Sequence, residues 1–175
     1  YLTIMSNVDE KTLGFIDLCI KKIILHLDET SKSAKLQEFN NFFVQDPTNL
    51  KIIYNTVTYN DSVKVITDYY NIGPPSAHSI ESFDFHLIPG LNNIIVTVSC
   101  KCKYDESGND KQGNNINMMG QTGQPKRALL STAFGVSLQM IIDGNKLIQQ
   151  QALTNTIMAF NYNIVYKPTD SLVSV

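Results

Sequence analysis

Charged side chains are scarce in this chain. They make up 17% of its 175 residues, where a soluble globular protein carries about 25%. A surface so short of charge implies that part of it is covered. Neither sign dominates: 14 Lys and Arg stand against 16 Asp and Glu, a net charge of −2. No global basic field therefore draws the chain to nucleic acid, so any RNA role has to be local or shared with a partner. Cysteine is sparse as well. Cys19, Cys100 and Cys102 are odd in number and form no Cys-x-x-Cys pair, which argues against a disulfide framework and for buried free thiols in a reducing compartment. No apolar run approaches the ~18 residues of a membrane span and no signal peptide is evident, so membrane insertion is not expected. The expectation is a cytosolic or nuclear protein.

What is present fits one domain. Tyr1 is not an initiator, whereas Met5 followed by Ser6 resembles a natural start. Residues 1–4 are therefore expected to be a foreign remnant, and the domain to run over 5–175. Leu13, Ile16, Ile20, Ile23, Ile24 and Leu27 recur at helical steps, with Phe15, Leu18 and Cys19 widening the stripe, and Ser6 or Asn7 can cap the helix. A second helix is expected over 33–44, with Leu36, Phe39 and Phe43 on one face, then a short strand at 52–54. Asn60 or Asp61 caps a third helix carrying Val63, Ile66 and Tyr70, which stops before Gly73-Pro74-Pro75. That capping role is preferred to the glycosylation sequon the same residues spell.

From residue 79 the period changes to two. Phe83, Phe85 and Leu87 alternate with Asp84 and His86. Ile94, Val96, Val98, Cys100, Cys102 and Tyr104 form one side of the next strand, Phe134, Val136, Leu138, Met140 and Ile142 one side of another, and Met158, Phe160, Tyr162, Ile164 and Tyr166 one side of the last. A short strand near Leu147 and Ile148 is the reading for the segment between. Helices first and long strands afterwards make an α+β class, with helices covering one face of a bent antiparallel sheet.

The opposite side of the long strands comprises Ile95, Thr97, Ser99 and Lys101; Ala133, Gly135, Ser137, Gln139 and Ile141; and Ile157, Ala159, Asn161, Asn163 and Val165. Only Lys101 in that set is charged. A solvated face would carry ~25–35% charged side chains, and a second core would be bulkier. Small, mixed and uncharged is the composition of the centre of a protein–protein interface, so these strands are expected to meet a partner.

Residues 105–127 read DESGNDKQGNNINMMGQTGQPKR, a long polar stretch with four glycines, expected to be a flexible arm or a tolerated insertion. Asp105, Ser107 and Asn109 begin like a calcium loop, but Asp110 stands where glycine is required and no suitable Glu follows. Gly120 and Gly123 lack the strand–helix setting of a phosphate loop. Met118 and Met119 offer an apolar docking spot, and Lys126 and Arg127 a small basic end.

An enzyme with this architecture needs titratable groups inside the cone of sheet and helices. The inward runs are almost wholly apolar. Asp84 and His86 point away from the core, His26 reads as a helix-end or core histidine, and Tyr162 and Tyr166 as inward amphipathic residues. No catalytic grouping assembles, and no cofactor is expected.

The segments KKIILHLD (21–28), DFHLIPG (84–90), CKYDESGNDKQG (102–113), FGVSLQMIID (134–143) and FNYNIVYKPTDSL (160–172) closely resemble, in order, the small-subunit family of the fungal mRNA export receptor. The resemblance implies a nuclear transport factor 2-like cone, with three N-terminal helices on a curved, mainly antiparallel sheet. It implies a non-catalytic subunit paired sheet to sheet with the matching domain of the large subunit. That pair would shuttle between nucleus, nuclear pore and cytoplasm, meeting nucleoporins as a heterodimer and carrying mRNA–protein particles and large ribosomal subunits. It also makes Asp105, Glu106, Asn109, Asp110 and Lys111 candidates for cargo contact. The alternatives are a homodimeric import factor of the same fold and a small-molecule isomerase or dehydratase.

Overall fold

The structure is a computed structural model and describes residues 10–29, 33–111, 127 and 129–173. The capping residues Ser6 and Asn7, residues 1–4, Met118, Met119, Gly120, Gly123 and Lys126 lie outside them. Helix α1 (Glu10–Leu27) buries Ile16, Ile20, Ile23 and Leu27, the four- and three-residue steps of one helical face. Leu13 and Leu18, included in the expected stripe, fall on its outer side and are exposed. Helix α2 (Ser33–Asn41) ends three residues short of the expected 44, and Phe39, with Phe43 just beyond the helix, packs against Phe160.

Strands β1 (Lys51–Tyr54) and β2 (Val57–Tyr59) form a hairpin whose second strand sequence patterning misses. Tyr54 pairs with Val57, so the two-residue loop is Asn55–Thr56, both at positive φ (45° and 72°). This is the twist that two-residue hairpins require. Helix α3 (Ser62–Ile72) starts where expected: Asp61 is its N-cap and accepts from the Val63 N–H at 2.9 Å. It buries Ile66 and Tyr70 as expected, together with Val65 and Tyr69, and leaves Val63, expected with them, exposed.

Long antiparallel strands follow: β3 (Ser76–Ile88), β4 (Asn93–Tyr104), β5 (Phe134–Asp143) and β6 (Ile157–Tyr166). A π-type helical turn (Asn145–Gln149) stands where a strand was expected and buries Leu147. The six strands are ordered β2-β1-β6-β5-β4-β3, with β1 parallel to β6 and the rest antiparallel. The alternation in β4 and β5 lies as the sequence pattern requires, with the apolar set facing α1–α3.

Strand β6 differs at both ends. Ile142 pairs with Ile157 but Ile141 with Ala159, so Met158 is a bulged residue, and Ile157 turns into the core instead of the outer face. At the other end Val136 pairs with Ile164 and Gly135 with Tyr166. Val165 is the extra residue there, and Tyr166, expected inward, is exposed. A bulge reverses which face later residues occupy.

Candidate partner interface

The register lays the outer face out in rows. Lys51, Ala159, Ile141, Ile95 and His86 stand side by side across β1, β6, β5, β4 and β3; the next row is Ile53, Asn161, Gln139, Thr97 and Asp84. Below them come Asn163, Ser137, Ser99 and Ser82, then Tyr166, Gly135, Lys101 and Ser79. The candidates that these rows contain share one surface outside the buried core, whereas Ile157 belongs to the core and Val165 is the bulged residue between rows. Charge sits at the margins: Lys101 reaches Glu81 at 3.5 Å, and Lys51 and Asp84 lie on flanking strands. Several members were missed, among them Ser79, Ser82 and Tyr166. Lys51 and Ile53 join the face through a parallel pairing across more than one hundred positions, for which the sequence carries no local signal.

The centre of the face is pre-ordered. The Asn163 side-chain amide donates to Asn161 Oδ1 at 2.5 Å, while its own oxygen accepts from the Thr56 N–H at 3.2 Å. Their side chains are therefore set before any partner arrives, which lowers the entropy cost of contact.

Three of the five candidate cargo residues are buried and bonded within the fold. Asp105 is buried and accepts from the N–H groups of Ser107 (2.9 Å) and Leu129 (3.0 Å) and from Asn109 Nδ2 (3.1 Å). Desolvation alone would raise this carboxyl, yet these hydrogen bonds hold it below its usual range. Asn109 is buried with it. Lys111 is only 2% exposed; its Nζ lies 4.3 Å from the centre of the Tyr69 ring and 3.4 Å from Ser76 Oγ. Glu106 and Asp110 stay half-buried, and Glu106 accepts from Ser171 Oγ at 2.9 Å and the Leu172 N–H at 3.2 Å.

Inside the cone the structure holds a polar chain that the sequence reading missed. His78 Nδ1 lies 2.5 Å from Asp28 Oδ1, and its Nε2 lies 2.6 Å from the Tyr162 hydroxyl. Asp28 also accepts from the His78 backbone N–H at 2.7 Å and Ser76 Oγ at 2.9 Å. Donation from Nδ1 to the carboxylate and from the phenol to Nε2 satisfies both ring nitrogens. Beside this chain the Tyr69 hydroxyl donates to Leu27 O at 3.0 Å and that of Tyr70 to His26 O, satisfying carbonyls that the end of α1 would leave open. The cluster therefore joins α1, α3, β3 and β6. A cavity lined by Leu27, Phe43, Tyr54, Tyr69 and Phe160 has about 20 Å³, room for a water and not for a substrate.

His26 is a core histidine, its Nδ1 2.8 Å from Lys22 O and its ring against Phe39 and Phe42. The three cysteines are buried free thiols, raised by burial to about 12 for Cys19, 11 for Cys100 and 12 for Cys102. Among the described residues no group of three or more His, Cys, Asp or Glu could hold a metal ion, and no helix is long and apolar enough to cross a membrane.

Three helices seated in the concave side of a bent six-stranded sheet define the nuclear transport factor 2-like fold. A protein of that superfamily from Salmonella enterica superimposes with a TM-score of 0.55 at 8% identity, over 94% of this chain and 98% of its own. The profile of the family described as "Nuclear pore RNA shuttling protein Mtr2" matches residues 9–175, and the chain belongs to that family. The mRNA transport regulator MTR2 of Saccharomyces cerevisiae is 36% identical over 166 residues, covering 89% of this chain and 88% of that protein. The crystal structure of the Candida albicans Mtr2–Mex67 M domain complex matches with a TM-score of 0.71 at 20% identity, over 89% of this chain and 97% of that one.

Proposed function

We propose that this chain is the non-catalytic small subunit of a two-chain mRNA transport receptor, and that it pairs through its outer sheet face with the nuclear transport factor 2-like domain of a larger subunit. The observation that carries this reading is the face itself. Four strands present it as ordered, small and uncharged residues, with charges only at the rim, as the desolvated centre of an interface requires. A relative in the same fold has been solved with a Mex67 M domain, which supports a partner of that kind.

The pair would shuttle between nucleus and cytoplasm through nuclear pores, meet nucleoporins as a heterodimer, and carry mRNA–protein particles and large ribosomal subunits. Of the loop candidates, Glu106 and Asp110 remain for cargo contact, at the entrance to the long polar arm.

Pairing is tested by Ser137→Arg, which sets an unpaired guanidinium at the middle of the face. Affinity for the partner domain, measured by titration calorimetry, is expected to fall at least 100-fold with the melting curve of the isolated chain unchanged. Undiminished affinity would overturn the reading. Asp110→Lys is expected to leave that affinity intact while weakening retention of cargo particles.

A further inference from the structure

The outer face is not flat. A hollow of about 270 Å³ opens on it, lined by Lys51, Ile53, Ile95, Gln139, Ile141 and Ala159. Its origin is local. Ala159 lies directly between Ile141 on β5 and Lys51 on β1, so a single methyl forms the floor among taller side chains. The next outward residue on β6, Asn161, accepts its hydrogen bond from Asn163 further along the strand. Ile53, Ile95 and Ile141 supply apolar walls, and water in such a hollow finds few hydrogen-bond partners. Replacing it with an apolar group is favourable.

We propose that this hollow is the anchor socket of the pairing face, and that it receives one aromatic side chain from the larger partner's sheet with a carboxylate beside it for Lys51. The proposal rests on the pairing reading above. The volume is ample for an aromatic ring, since an apolar cavity of ~150 Å³ already holds benzene, and buried aromatics are the commonest anchors of interfaces. Lys51 is exposed at the rim and forms no ion pair among the described residues, which leaves it available to an acidic neighbour.

The face also says why the occupant is a different chain. Two copies meeting on an isologous interface must each supply both socket and knob from the same surface. At the centre of this one the outward residues are Thr97, Ser99, Ser137, Gln139, Asn161 and Asn163, none of which is a large apolar knob. The exposed aromatic Tyr166 stands at the far end of β6, at the rim of the face and not at its centre. Among the described residues the centre of the face thus offers the socket no knob, and a heterologous partner provides one.

The test compares affinities of the full chain and its variants for the partner's nuclear transport factor 2-like domain. Ala159→Phe fills the socket from within and is expected to weaken pairing at least 100-fold while the chain alone melts as before. Ile141→Ala removes a wall and is expected to weaken it about tenfold. Lys51→Glu is expected to slow association, with the deficit shrinking as salt is added. Should Ala159→Phe fail to fold, Ile141→Ala and Ile53→Ala decide the matter, since both residues are only half-buried. Unchanged affinity in the socket variants with pairing abolished by Ser137→Arg would overturn the socket and keep the face. Unchanged affinity in all of them, Ser137→Arg included, would overturn the pairing reading itself. Self-association of the chain that Ala159→Phe disrupts, with heterodimer affinity intact, would assign the socket to a second copy and overturn the proposal.

Discussion

Lys111 shows two opposed forces at one residue. Burial is the larger and pushes its amine down to about 8, against the pull of the Asp28 carboxylate. The Tyr69 and Tyr70 rings at 4.3 and 5.9 Å add attraction. Below pH 8 the amine is charged in folded and unfolded chains alike, and the desolvation cost is complete. Between pH 8 and the ordinary value of 10.5 the unfolded chain holds more of the proton, so this group's contribution to stability rises with pH. Lys111→Met keeps the stem and removes the charge. It is expected to be more stable than the parent below pH 8, by on the order of 1–3 kcal/mol, with the advantage shrinking to pH 10.5. Denaturant melts of both proteins across that range check it. The three raised thiols act in the opposite direction above pH 9, but they are common to both proteins and cancel in the difference. Advantage growing with pH would contradict the account. Thr56 is a second such position, a β-branched residue at φ 72° in a hairpin turn. Thr56→Gly is expected to stabilise by about 1 kcal/mol, read as a higher melting temperature.

At the scale of elements, what the sequence makes legible follows from what is local. Alternation in β4 and β5 is a property of consecutive residues, so Ile94 to Tyr104 and Phe134 to Ile142 could be assigned to the core from their order alone. Strand β6 defeats the same rule, because the bulges at Met158 and Val165 each turn the chain by one residue and leave no compositional trace. Ile157 and Tyr166 were therefore assigned to the wrong faces. The chain from Asp28 through His78 to Tyr162 is hidden for another reason: its links span 50 and 84 positions, and each residue alone reads as a helix end, a strand residue or a core tyrosine. Asp28→Ala would leave the His78 ring and backbone N–H without their acceptor. A loss of about 2–4 kcal/mol is expected, and a smaller one for Asp28→Asn, which keeps an acceptor. A melt of the two variants separates them, and equal losses would remove the hydrogen bonds from the explanation.

For the whole molecule, class was readable because helices precede long alternating strands, and the outer face because charge is missing where a solvated sheet would carry it. The short strand at 52–54 was legible, but not its parallel pairing with β6, which brings Lys51 and Ile53 alongside and turns a three-strand surface into one with a socket. The resemblance carried by segments such as FGVSLQMIID and the family profile over 9–175 agree on what the fold is. Pairing is the central claim, and the solution mass of the chain alone, then mixed with the larger subunit's nuclear transport factor 2-like domain, tests it most directly. The account requires a stable one-to-one complex that Ser137→Arg prevents. A homodimer indifferent to the added domain, or a chain that stays monomeric beside it, would contradict it.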